Sequence, residues 1–128
     1  MKIHPMITFH GNCREALEFY RECFGGELVV EKLSGDIRRC LPQSLRNLVV
    51  RAKLITPDFT LYGSDLGDTT MRGRISILIG SEDVSETATL FEKLSTDGKI
   101  TTNFEDVGKN QIASVIDRFG VEWLFLKS

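Results

Sequence analysis

The chain has 128 residues, with 16 Lys and Arg against 18 Asp and Glu for a net charge of −2. That length suits a single domain able to bury enough surface to stand without a disulfide or structural metal. The near-neutral balance lacks the basic footprint of a nucleic-acid binder, and no apolar run approaches the ~18 residues needed to span a bilayer. Neither nucleic acid nor membrane is therefore expected as a partner. Met1-Lys2-Ile3-His4-Pro5 lacks the apolar stretch of a secretory signal, so a cytoplasmic location is expected. Cys13, Cys23 and Cys40 form no C-x-x-C pair and leave an odd count, which suits free thiols in a reducing compartment. Cys13 stands at a helix start, where the dipole would lower its pKa.

In chain order, a first strand carries Met6, Thr8 and His10 on one face. The first helix opens at Asn12, with Glu15 three residues on as in a capping box, and stops at Gly25-Gly26. Its apolar stripe is Ala16, Phe19, Tyr20 and Cys23. Extended segments follow at 27–33, 48–56 and 59–64, with the irregular stretch from Ser34 to Asn47 between the first two. In the second of them Val50, Ala52 and Leu54 alternate with Arg51 and Lys53, the period of a strand with two unlike faces. Asp65 to Met71 links to a strand at 74–79 with Ile75, Ile77 and Ile79 on one face. A second helix opens at Asp83 with Glu86 and stops at Asp97-Gly98, its stripe being Ala88, Phe91 and Leu94. Segments 98–104, 111–116 and 121–127 complete the pattern.

The halves repeat. An offset of 72 carries Ala16 to Ala88, Phe19 to Phe91, Gly26 to Gly98 and Leu28 to Ile100. An offset of 69 carries Met6, Thr8 and His10 to Ile75, Ile77 and Ile79. The chain therefore reads as an α+β protein of two βαβββ modules, about 1–66 and 70–128, in one domain.

Two motifs then carry a resemblance. Gly11-Asn12-Cys13-Arg14-Glu15-Ala16-Leu17-Glu18-Phe19-Tyr20 is followed by Phe24-Gly25-Gly26, and Asp117-Arg118-Phe119-Gly120-Val121-Glu122-Trp123 has the form D-x-F-G-V-x-W. With its βαβββ repeat, the chain resembles the vicinal oxygen chelate superfamily of glyoxalase I, bleomycin-resistance proteins and extradiol dioxygenases, and within it the PhnB-like branch. The resemblance implies two curved mixed sheets, a concave cavity and a homodimer. It also implies, for catalytic members, a divalent metal held from four strands. The corresponding positions here are Pro5, Tyr62, Arg74 and Leu124, which are not normal metal ligands. No metal and no cofactor is expected. The methyltransferase label attached to this branch finds no nucleotide-cofactor motif to support it.

Strand parity on that alignment sends Pro5, Ile7 and Phe9 into the cavity, with Arg51 and Lys53, Thr60 and Tyr62, Arg74 and Ser76, and Leu124 and Leu126. His4 and His10 fall on the opposite, helix-packed face. An apolar wall with cations and a phenol is the composition of a small-ligand pocket. Arg51, Lys53 and Arg74 would favour an anionic or electron-rich ligand. The expectation is a metal-independent small-molecule binding protein, with Ile7, Phe9, Arg51, Lys53, Tyr62, Arg74, Ser76 and Leu124 as candidate ligand-binding residues. The alternatives are a metal-dependent isomerase, lyase or dioxygenase of the same superfamily, and a dimeric interaction protein whose cavity has no function.

Overall fold

A computed structural model describes residues 1–32, 39–40, 42–43, 48–66, 75–80, 83–103 and 111–127. The chain divides into two compact units, Met1–Met71 and Arg72–Ser128. Each unit is βαβββ. The first holds β1 (Met6–Thr8), α1 (Cys13–Phe24), β2 (Glu27–Lys32), β3 (Val49–Ile55) and β4 (Thr60–Ser64). The second holds β5 (Ser76–Gly80), α2 (Val84–Ser95), β6 (Lys99–Thr102), β7 (Gln111–Ile116) and β8 (Glu122–Lys127). The two sheets have matching orders, β1-β4-β3-β2 and β5-β8-β7-β6, with one parallel pair each and the rest antiparallel. Most of the stretch from Ser34 to Asn47, residues 67–71 of the link that starts at Asp65, and Arg74 lie outside the described residues.

In the first unit α1 covers one face of its sheet. Cys13, Ala16, Leu17 and Tyr20 are fully buried there, against Ala52 and Leu54 of β3 and Leu61 of β4. The helix approaches closely because β4 has a glycine beneath it. A Cβ on Gly63 would stand 2.8 Å from Leu17 Cδ2, 2.9 Å from Cys13 Sγ and 3.2 Å from Phe9 Cε2. Phe24 meets Phe59 edge-on at 5.1 Å, tying the helix end to the turn between β3 and β4. In the second unit Phe91 and Leu94 of α2 pack with Trp123, Phe125, Val115 and Ala113 in the core, and Phe91 meets Phe125 edge-on at 5.3 Å.

Three expectations are corrected. The first concerns the face of β1. Met6 pairs with Tyr62 and Ile7 with Gly63, and paired residues point to the same side of a sheet. Gly63 faces α1, so Ile7 and the buried Phe9 also face the helix, while Met6 and Thr8 face away. The equivalents of Ile77 and Ile79, which pair with the buried Trp123 and Phe125, are thus Ile7 and Phe9 rather than Thr8 and His10. A one-residue shift in a strand exchanges its two faces.

The second concerns α2, where Ala88 is exposed and Thr87 is buried in its place. Thr87 satisfies its hydroxyl by donating to the Asp83 carbonyl at 2.9 Å. The inward residues Thr87, Phe91 and Leu94 therefore answer to Ala16, Tyr20 and Cys23. The offset of 72 holds after the helices, at Gly26 and Gly98. A Cβ on either glycine would collide with a strand carbonyl, that of Ile55 for Gly26 and that of Ile116 for Gly98.

The third concerns the cap of α1. Asn12 makes no side-chain cap bond; its Oδ1 accepts from the His10 amide at 3.3 Å instead. The cap comes from the end of β4. Asp65 Oδ1 accepts the amides of Gly11 (2.9 Å) and Cys13 (3.0 Å), and Oδ2 accepts that of Val49 (2.9 Å). One carboxylate thus joins the helix start to the first residue of β3. The cap of α2 is local as expected, with Asp83 accepting from the Glu86 amide at 3.1 Å.

Candidate functional site

The face of the first sheet turned away from α1 carries the polar strand residues. Cross-strand pairing lines up Met6, Tyr62, Lys53 and Val29 in one row running from β1 through β4 and β3 to β2. Arg51 lies two residues along β3 on the same face, directly opposite Glu31 of β2. Val29, Glu31, Arg51, Ala52, Lys53 and Tyr62 line a concavity of about 280 Å³, just below the range for drug-sized ligand sites. His4 sits against the Tyr62 ring, with centroids 5.6 Å apart and planes tilted by 48°. It therefore lies on the open face, not the helix-packed one, as the corrected strand register requires.

The charges on this face are unequal in availability. Arg51 Nη2 donates to Glu31 Oε2 at 2.8 Å, with both side chains more than half exposed (59% and 55%). Such a pair adds little stability in water, but it commits one edge of the guanidinium. Lys53 is half-buried, and among the described residues no carboxylate lies within ion-pair distance of it. Arg51, Lys53 and Tyr62 are thus brought together as expected, whereas Ile7 and Phe9 belong to the core beneath α1. Arg74 lies outside the described residues. Glu31 was missed because its place opposite Arg51 depends on the β2–β3 register, for which the sequence carries no local mark.

On the second unit, Ser76 and Leu124 do lie on the face turned away from α2. Leu78, Leu124 and Ser114 form one row across β5, β8 and β7. Ser76 pairs with Glu122 and donates its hydroxyl to Glu122 Oε1 at 2.6 Å. Leu78 and Leu126 are exposed at 59% and 38%, so this face is mainly aliphatic.

A metal of the superfamily's kind does not fit these residues. Pro5 and Leu124 have no ligating atom, and Tyr62 offers a phenol where a carboxylate or imidazole is needed. The corrected register adds His4 beside Tyr62. Yet among the described residues no group of three or more His, Cys, Asp or Glu side chains is placed to hold one ion. Cys13 is no nucleophile. Burial, and secondly the charge of Asp65, push its thiol up from 9.0 to about 12, against the lowering expected at a helix start.

The D-x-F-G-V-x-W segment forms the turn between β7 and β8. Asp117, only 3% exposed, accepts at Oδ1 from the amides of Phe119 (2.8 Å) and Val121 (3.1 Å), and at Oδ2 from Trp123 Nε1 (2.8 Å). Gly120 supplies the positive φ of 84° that the turn requires.

The paired βαβββ units are shared with known proteins. A family model described as 3-demethylubiquinone-9 3-methyltransferase matches residues 1–126. The chain belongs to this PhnB-like family. It is 25% identical to protein YjdN of Escherichia coli (strain K12), over 97% of this chain and 93% of that one. Its fold is similar to that of a PhnB protein from Bacillus cereus, with a TM-score of 0.79, 21% identity and full coverage of both chains. A glyoxylase/bleomycin resistance protein/dioxygenase domain from Frankia sp. EAN1pec shares the fold at a TM-score of 0.64 and 14% identity, covering 100% of this chain and 90% of that one. The PhnB-like chain thus has the glyoxalase/bleomycin resistance/dioxygenase fold. Among its described residues no helix is long and apolar enough to cross a membrane.

Proposed function

We propose that this PhnB-like protein binds a small anionic or electron-rich molecule on the open face of its first sheet, without a catalytic metal. The observation that carries the reading is Lys53, a half-buried cation with no ion-pair partner among the described residues, next to the Tyr62 phenol over a concavity of about 280 Å³. An ammonium with three donors and a phenol beside it can share one carboxylate, while Val29 and Met6 at the ends of the row offer apolar contact. Ser76 and Leu124, on the face of the second sheet turned away from its helix, are the candidate ligand contacts of the second unit in this reading. The metal-dependent alternative lacks a donor set among the described residues, and no methyl-donor motif in the sequence supports the activity in the family's description. The protein acts as one domain over 1–128 and as a homodimer.

The test is an NMR titration with benzoate as probe. Amide shifts are expected at Val29, Arg51, Lys53 and Tyr62. Lys53→Ala should weaken binding about tenfold, corresponding to one charge-assisted hydrogen bond, and Tyr62→Phe should weaken it less. Affinity unchanged in both variants would reject the site.

A further inference from the structure

Resting on the anion-binding reading above, we propose that Glu31 is a specificity-determining residue: it tunes the open face of the first sheet to singly charged anions and against doubly charged ones. Glu31 stands directly opposite Arg51 in the β2–β3 ladder, and the ladder shifts register immediately after it, between Glu31 and Lys32. Its carboxylate therefore reaches the guanidinium from the neighbouring strand, Oε2 to Nη2 at 2.8 Å. Both side chains line the same concavity as Lys53 and Tyr62. A ligand anion held at Lys53 therefore shares its concavity with this carboxylate.

Two effects follow. Of the two cations and one carboxylate lining the concavity, only one net positive charge is left for a ligand. Arg51 also meets a ligand with one of its guanidinium donors already serving Glu31, which leaves fewer N–H groups for the two-pronged donation that makes arginine a strong binder of phosphate. A carboxylate needs one cation and a hydroxyl donor, which Lys53 and Tyr62 provide. A phosphate dianion needs more, and its second charge is repelled by Glu31. The exposure of the pair argues against a purely structural role, since exposed ion pairs hold folds together only weakly.

The experiment compares benzoate with phenyl phosphate, which carries nearly two charges at pH 8, by NMR titration at low salt. The proteins are wild type, Glu31→Gln and Lys53→Ala. Glutamine keeps the size and an acceptor for Arg51 while removing the charge, and the melting temperature checks that the fold is intact. Each unit of ligand charge should gain about three- to tenfold in affinity when a carboxylate some 6 Å away is neutralised. Phenyl phosphate should therefore improve about three- to tenfold more than benzoate in Glu31→Gln. An unmoved ratio, with benzoate still bound and still dependent on Lys53, overturns the role of Glu31 and leaves the binding site standing. No binding of benzoate to wild type overturns both.

Discussion

Asp65→Ala should be the most damaging single change at the edge of the first sheet. The carboxylate accepts backbone amides from Gly11, Cys13 and Val49, at 2.9, 3.0 and 2.9 Å. Loss of a helix cap alone costs about 1 kcal/mol, and each further stranded amide about 1 kcal/mol where water can partly replace the acceptor. The sum is about 2–3 kcal/mol. With a urea slope of about 2 kcal/mol/M, the midpoint should fall by roughly 1 M or a little more. Asp65→Asn keeps Oδ1 for Gly11 and Cys13 but turns an NH2 toward the Val49 amide, so about half the loss is expected. Circular dichroism and the fluorescence of Trp123, which lies in the second unit, should report the same midpoint if 1–128 unfolds as one domain. An Asp65→Ala variant within 0.5 kcal/mol of wild type (a bound set by ordinary surface substitutions) would refute the capping argument.

Other outcomes can be checked alongside. Gly63→Ala places a methyl within 3 Å of Leu17 Cδ2 and Cys13 Sγ, so overpacking should cost about 1–3 kcal/mol in the same denaturation assay; adding Cys13→Ala should recover part of it. The Cys13 thiol stays protonated to about pH 12 when folded but ionises from 9.0 when unfolded. The unfolded state therefore binds fewer protons between those values, and stability should decline as pH rises through that window. Comparison with Cys13→Ala isolates the slope, and equal slopes would refute the burial argument. Asp117→Asn should cost about 2–3 kcal/mol, read by thermal melting, because its amide NH2 would face a donor such as Trp123 Nε1 inside a buried turn. Light scattering should give twice 14.4 kDa for the proposed homodimer, and a monomer mass at high concentration would reject it.

Much of the fold was legible because its marks are local. Asp83 followed by Glu86, the glycine stops, and the alternation of Ala52 and Leu54 with Arg51 and Lys53 are all short-range patterns, and each element they mark is present. What escaped depends on partners distant in sequence. The three residues of β1 are too few to fix a face by periodicity, since Met6 and Ile7 are both apolar; the close approach of Phe9 to Gly63 decides it. Asn12 looks like a cap, yet a stronger acceptor arrives from Asp65. Thr87 can be buried in preference to Ala88 because the turn before it offers a carbonyl for its hydroxyl. At the site, the row of Tyr62 and Lys53 followed from alternation, whereas the neutralisation of Arg51 by Glu31 needed the pairing register of two strands.

The turn built on Asp117 has a consequence for how such proteins diverge. All the roles seen for the D-x-F-G-V-x-W residues here are architectural: an acceptor for three donors, a backbone conformation only glycine holds easily, and an indole anchored in the core. Selection for a stable hairpin preserves those residues whatever the neighbouring sheet face binds. The signature therefore tracks ancestry and folding, while residues such as Glu31, Lys53 and Tyr62 can drift independently of it. Sharing every letter of that segment therefore does not require two proteins to share a ligand, and it is the open-face rows, compared position by position, that should sort relatives into groups of common chemistry.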